Sequence, residues 1–167
     1  MNKNIFSMNI LSKYSELFQI LGVVGLIASL IFVGLELRQS QRIALAEQHV
    51  ERTKAFTEVI NTATNNEIAY FYPDHDYDKY ELFLHNFWHM FWNVSETDYL
   101  KYRLGLMDEG MWQARYAIMK RNKLREDYTS RDCDMAERVW QGKSTQLDSE
   151  FVKLINAIPS KNCVESD

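Results

Sequence analysis

Helix-breaking residues are scarce in this 167-residue chain, which has two prolines and six glycines. So few breakers favour long helices over many short strands and turns. Two cysteines, Cys133 and Cys163, are too few for a disulfide scaffold. Positive charge is not in excess either, since the formal net charge is −4, which argues against a nucleic-acid-binding protein. With 46% hydrophobic and 25% charged residues, the composition is that of one folded domain, not of a disordered chain.

Motifs of nucleophilic and nucleotide chemistry are also missing. The sequence contains no G-x-S-x-G nucleophile elbow, no P-loop and no glycine-rich dinucleotide fingerprint. The flanking Asp132 and Asp134 disfavour a reactive thiolate at Cys133, because negative neighbours raise a thiol pKa. The sequence therefore predicts no catalytic residue and no cofactor.

One strongly apolar segment is present, a run of 19 uncharged residues from Leu17 to Leu35. At about 1.5 Å per residue, a helix of this length covers most of a hydrocarbon core about 30 Å thick. It predicts a transmembrane helix over 17–37, preceded by an N-terminal tail over 1–16. The alternatives are a buried helix of a soluble domain, or a signal peptide cleaved near Ala44-Leu45-Ala46. That possible cleavage site lies well beyond the apolar run, after Glu36 and Arg38, which favours a permanent anchor.

Basic residues near the segment predict its orientation in a cell inner membrane. Lys3 and Lys13 precede the apolar run, whereas Arg38 and Arg42 follow it closely. Because Lys and Arg are enriched on the cytoplasmic side, the bias predicts a cytoplasmic C-terminal domain, with Arg38 and Arg42 at lipid headgroups. Two cysteines fit a reducing compartment, although a periplasmic disulfide is the alternative.

Small residues within the segment predict a packing face. Gly22, Gly25 and Ser29 recur at helical spacing, and such faces let membrane helices approach closely. The expected partners are the lipid bilayer and either a second copy or another membrane protein, with no nucleic acid. The alternative is that these glycines only reflect the frequency of glycine in membrane helices.

The rest of the chain predicts an all-α fold, in which the single N-terminal transmembrane helix continues into a small helical bundle over 38–158. Residues 159–167 are expected to form a flexible tail. The helix limits predicted from periodicity, caps and breakers are Ser15 to Thr64, Asp78 to Leu104, Asp108 to Leu124, Asp132 to Gln141 ended by Gly142, and Asp148 to Pro159. Gly105 is expected to end the second helix in a left-handed conformation.

Periodicity also predicts which residues form the core. The expected apolar face of the second helix comprises Tyr80, Phe83, Leu84, Phe87, Trp88, Phe91 and Val94. Trp112 lies on the apolar stripe of the third helix. We therefore expect Trp88 and Trp112 to be buried and close to each other.

Two segments resemble a widespread set of uncharacterised bacterial proteins. The first is I-A-S-L-I-F-V-G-L-E-L-R-Q-S-Q-R, from Ile27 to Arg42, and the second is Y-R-L-G-L-M-D-E-G-M-W, from Tyr102 to Trp112. Proteins of this family have one N-terminal membrane helix and a helical C-terminal domain. The resemblance weakens after Asn122. It implies the architecture, but it carries over no activity and no catalytic residue.

Two clusters of side chains could hold a ligand. His85 and His89 are four residues apart on one helix, a spacing that metal sites use, and Glu81 is a candidate third ligand. Asn86 replaces the glutamate of H-E-x-x-H, and packing of both imidazoles with Trp88 and Trp92 is the favoured interpretation. A basic run, Arg115 to Arg125, could contact anionic lipid or form a solvated helix end.

These features together predict a membrane-anchored helical protein that acts by binding, as an accessory subunit, scaffold or sensor of a membrane assembly. Two alternatives remain open from the sequence. One is a metal-dependent enzyme that uses His85 and His89, and the other is a membrane-active toxin or defence effector.

Overall fold

The computed structural model describes residues 4–70, 76–124 and 128–160. Over these ranges the chain is entirely helical and forms no strand, which confirms the all-α prediction. The helices are α1 (Asn4–Asn65), α2 (Lys79–Arg103), α3 (Glu109–Leu124), α4 (Ser130–Ser144) and α5 (Ser149–Asn156).

Helix α1 belongs to both of the compact units into which the chain divides, residues 1–44 and 45–167. It begins earlier than the predicted Ser15, because no proline or glycine between Asn4 and Ser15 interrupts the helix. In the first unit, the large apolar side chains between Leu17 and Leu37 are all 47–72% exposed. The long apolar N-terminal helix is therefore present, and none of its most hydropathic window is buried within the chain.

Helix α2 has the predicted limits, and side-chain and backbone caps explain both of them. The Asp78 carboxylate accepts the backbone N–H groups of Tyr80 and Glu81 at 2.9 Å, and the Glu81 carboxylate accepts the N–H of Asp78 at 3.2 Å. At the other end, Gly105 has φ +74°, and the N–H of Leu106 reaches back to the Lys101 carbonyl at 2.9 Å. The predicted left-handed glycine is confirmed as part of a Schellman motif.

Helix α4 differs from its prediction at both ends. Thr129 caps it, so it begins at Ser130, and it continues through Gly142 to Ser144. One glycine inside a helix costs only about 1 kcal/mol relative to alanine. That cost is too small to end a helix whose preceding turn is buried in the core at Val139 and Trp140. The prediction that Gly142 ends this helix is therefore wrong.

The core of the second unit forms where α2 packs against α3 and α4, with α5 packed on α3. Trp88 and Trp112 are buried as expected, at 2% and 5% exposure. Both belong to one apolar cluster, but they have separate ring neighbours. Trp88 contacts Trp92 at 6.4 Å, and Trp112 stacks on Tyr102 at 4.8 Å between ring centroids. The buried members of this core are Leu84, Trp88, Trp92, Trp112, Met119, Met135, Ala136, Val139, Trp140, Phe151, Ile155 and Ile158.

The predicted buried face of α2 is only partly correct. Tyr80, Phe83 and Val94 are 42–52% exposed, and Phe87 is only half-buried. The face that is buried instead includes His85, Asn86, His89 and Thr97. The physical reason is that α2 is covered on one side by a polar interface with the end of α1, which a hydrophobic pattern cannot reveal.

Candidate functional site

A polar interface joins residues 45–70 to helices α2 and α4 inside the second unit, and we call it the α1–α2 interface. Its buried polar and charged side chains are His85, Asn86, His89, Thr97 and Lys143. Buried polar groups of this kind are costly unless they find partners, so their contacts define what the interface can do.

Asn86 is the central hydrogen-bonding residue of the interface. Its side-chain N–H groups donate to the Thr64 hydroxyl at 2.8 Å and to the Ile68 carbonyl at 3.1 Å. Its side-chain oxygen accepts the backbone N–H of Tyr70 at 2.9 Å. One buried amide therefore holds the end of α1 and the segment that follows it.

A second polar contact lies three turns along the same helices. The hydroxyls of Thr53 and Thr97 share a hydrogen bond at 2.6 Å. The Thr97 hydroxyl also donates to the Asn93 carbonyl at 3.0 Å, within its own helix. Next to this contact is a groove of 420 Å³, whose lining residues are Val50, Thr53, Lys54, Thr57 and Glu58 of α1 and Val94, Thr97, Asp98 and Lys101 of α2.

The structure brings His85 and His89 together, with 4.7 Å between their ring centroids. Tyr77 lies 5.2 Å from the His85 ring, and Tyr70 lies 5.7 Å from the His89 ring. The imidazoles are therefore packed among aromatic rings, and the contacts described are with Tyr77 and Tyr70, not with the predicted Trp88 and Trp92.

The third proposed ligand is engaged elsewhere. The Glu81 carboxylate accepts the N–H of Asp78 and lies 3.3 Å from the Arg131 guanidinium. Among the described residues, no three His, Cys, Asp or Glu side chains are grouped so that they could hold a metal ion. Within the described residues, the pair His85 and His89 therefore has no carboxylate placed to act as a third metal ligand.

Burial and positive neighbours control the protonation of this cluster. The pKa of His89 is lowered from 6.5 to about 3, first by burial and then by the charges of His85 and Lys143. Burial also lowers the pKa of Lys143, whose ammonium lies 4.6 Å from the centroid of the Phe56 ring. Burial therefore disfavours a positive charge at both His89 and Lys143.

The basic run on α3 divides into residues with different surroundings. Arg115 lies 3.5 Å from the Asp98 carboxylate. Lys123 is buried, 5.1 Å from the Trp140 ring and 3.9 Å from Glu137, so it is unavailable to a lipid headgroup. Lys120 and Arg121 are exposed, whereas Arg125 lies outside the described residues.

The residues predicted to act at the membrane are exposed in the first unit. A Cβ added at Gly22 or Gly25 would meet nothing within 4 Å, so both positions can accept a closely packed neighbour. Ser29, Arg38 and Arg42 are also exposed. The geometry is compatible with the predicted packing face and headgroup contacts, which stay predictions.

Sequence reasoning missed the hydrogen-bonding part of the α1–α2 interface, namely Thr53, Thr64, Asn86 and Thr97. A signal was present, because Asn86, His89, Asn93 and Thr97 recur at spacings of three and four residues. Such a polar stripe normally indicates a solvated face, and only the position of α1 shows that it is covered.

Comparisons of the chain with family models, with curated proteins and with solved structures give no match. The resemblance to bacterial proteins with one N-terminal membrane helix therefore stays a prediction.

Proposed function

We propose that this protein is anchored in a membrane by residues 17–37 of α1. The observation that carries this proposal is the exposed apolar surface of that segment. Contiguous apolar patches on soluble monomers rarely exceed a few hundred Å². A helical segment of this length extends about 31 Å, which agrees with a hydrocarbon core about 30 Å thick. A core helix of a soluble domain would instead be largely buried within its own chain.

The proposed role is binding, as an accessory subunit, scaffold or sensor of a membrane assembly. The small side chains at Gly22, Gly25 and Ser29 support association with a second copy or with another membrane helix. An enzyme that uses His85 and His89 has less support, because both imidazoles are buried and Glu81 is engaged in capping α2. A toxin or defence effector would share the anchor, and no described side-chain arrangement favours it.

The side of the membrane on which the helical domain lies is a separate part of the proposal. Arg38 and Arg42 favour a cytoplasmic helical domain, and we keep that assignment as the one to test. Cys133 is disulfide-bonded, which favours an oxidising compartment instead. The only other cysteine, Cys163, lies outside the described residues. Protease added to intact spheroplasts should spare α2–α5 if the domain is cytoplasmic, and digestion of these helices while a cytoplasmic marker survives would reverse the assignment.

The anchor is tested by placing a charge at the centre of the span in the full chain. Leu30→Arg should cost roughly 2.5–3.5 kcal/mol on insertion scales and reduce the fraction that resists alkaline extraction. Glu47→Arg, at an exposed position of α1 outside the span, is the matched control and should remain membrane-bound. Parent protein that is fully soluble without detergent would contradict the proposal.

The binding role is tested by photo-crosslinking within the membrane helix. A crosslinker at Leu26, beside Gly22 and Ser29 on the helical wheel, should give a discrete adduct of higher mass. The same group at Ile27, on the opposite face of the helix, should give weaker adducts or lipid adducts only. Equal labelling from both faces, or no protein adduct from either, would count against helix association.

A further inference from the structure

The segment 45–70 packs outside the main core of the domain. None of its residues belongs to the apolar cluster formed by α2–α5. Its own buried apolar residues are only Ala46, Ile60 and Ala69. Segments with few buried apolar contacts open at a lower free energy than the core of the same domain. Residues 45–70 can therefore leave α2 while α2–α5 stay folded.

Such an opening would break the contact of the Tyr70 ring with His89, the contact of the Lys143 ammonium with the Phe56 ring, and a set of hydrogen bonds. The hydrogen bonds are those that Asn86 donates to Thr64 and Ile68, the one that it accepts from the Tyr70 N–H, and the bond between Thr53 and Thr97. Water can replace each of them, so their net contribution to the docked state is about 0.5–1.5 kcal/mol apiece. Burial of the histidine cluster is the part of this difference that depends on pH.

Charged and titratable groups surround His89 from several elements. His85 lies on the same helix, Lys143 comes from α4, and Tyr70 packs from the segment after α1. Arg52 of α1 and Glu96 of α2 lie near Lys143, and their charges act on it in opposite directions. An imidazolium at His89 would therefore be buried beside a lysine.

We propose that the α1–α2 interface is an acid-sensitive latch, in which protonation of the buried histidine cluster releases residues 45–70 from α2 and exposes the polar face of that helix. Opening hydrates the imidazoles, so protons favour the open state. Residues 45–65 belong to the same helix as the apolar segment. The docking of that helix on α2 would therefore depend on pH.

The expected size of the response follows from His89. In the docked state its pKa is about 3, and in a hydrated state it returns to about 6.5. Between pH 7.5 and pH 5.0, one such proton raises the ratio of open to docked molecules about 30-fold. Most of this change falls below pH 6.5, where the hydrated imidazole takes up its proton.

Hydrogen–deuterium exchange of the full chain in detergent micelles tests the latch. After correction for intrinsic exchange rates, amides of residues 45–65 should open about 30-fold more at pH 5.0 than at pH 7.5. Amides of α4 and α5 should keep a higher opening free energy than residues 45–65 at both pH values. Equal opening free energies in both regions would indicate global unfolding and would overturn the latch, as would exchange of residues 45–65 that does not depend on pH.

Three variants assign the response to the cluster. His89→Gln should make exchange of residues 45–65 nearly independent of pH, whereas His49→Gln, elsewhere on α1, should leave the 30-fold response intact. Lys143→Met keeps the contact with Phe56 and leaves His89 buried, so the response should stay near 30-fold, because burial is the main cause of the lowered pKa. A full response in His89→Gln would refute the proposal, and so would loss of the response in Lys143→Met, which keeps the test usable even if His89→Gln fails to fold.

Discussion

Two neighbouring tryptophans in the core provide a sharp test of its hydrogen bonding. Trp92 and Trp140 are both almost fully buried, and their ring centroids are 4.4 Å apart. The Trp140 indole N–H donates to the side-chain oxygen of Asn156 at 3.0 Å. The Trp92 indole N–H has no hydrogen-bond partner among the described residues. Tryptophan-to-phenylalanine substitution should therefore have different consequences at the two positions.

The difference can be estimated because both substitutions remove the same atoms from one core. Trp140→Phe also loses a hydrogen bond with a net value of about 0.5–1.5 kcal/mol. Trp92→Phe instead removes a buried donor whose desolvation costs about 1–3 kcal/mol. We therefore expect Trp140→Phe to lower the free energy of unfolding by roughly 2–4 kcal/mol more than Trp92→Phe does.

Urea unfolding of the full chain in detergent, followed by tryptophan fluorescence, measures this difference. All four tryptophans are buried residues of the second unit, so the signal reports on that unit and not on the apolar segment. Asn156→Ala is the matched control, and it should reproduce only the loss of one hydrogen bond, about 1 kcal/mol. Equal unfolding midpoints for the two tryptophan variants, or a larger loss in Trp92→Phe, would refute the reasoning.

Three further predictions use the same unfolding assay. Trp112→Ala should lower the free energy of unfolding by about 3–5 kcal/mol, because it empties a buried site stacked on Tyr102. Met111→Ala, at the neighbouring exposed position, should change it little. Similar unfolding midpoints for the two variants would mean that the Trp112 indole is not buried. Gly105→Ala should lower the free energy of unfolding by about 1–2 kcal/mol, because the φ of +74° at Gly105 is left-handed. Gly142→Ala, inside α4 with free space around it, should raise the free energy of unfolding by about 0.5–1 kcal/mol. Shifts of the same sign in both variants would be inconsistent with these conformations. The unfolded chain takes up a proton on His89 below pH 6.5, whereas the folded chain takes it up only near pH 3. The parent should therefore lose about 2 kcal/mol of stability between pH 7.5 and pH 5. A stability–pH profile that stays as steep in His89→Gln would contradict this assignment.

Local signals in the sequence were sufficient for most helix limits. The capping box of Asp78 and Glu81 and the left-handed Gly105 act through atoms a few residues away, so their chemistry is readable without tertiary structure. Gly142 shows where this reasoning fails. Its weak local preference against helix was outweighed by burial of the preceding turn at Val139 and Trp140, which depends on tertiary structure.

The sequence alone determined that the chain is helical and that it contains one apolar helical segment long enough to cross a membrane. Both follow from the scarcity of proline and glycine, from periodicity and from hydropathy, which are properties of short stretches of sequence. Only the tertiary structure decided which face of α2 is buried. The sequence marks Phe83 and Val94 as apolar and Asn86 and Thr97 as polar, yet the apolar pair is exposed and the polar pair is buried. The reason is that burial depends on what covers a face. The partners of Asn86 and Thr97 are the hydroxyls of Thr53 and Thr64 in α1 and backbone groups of Ile68 and Tyr70 after it, which lie 16–44 positions away in the sequence. No local pattern contains that pairing.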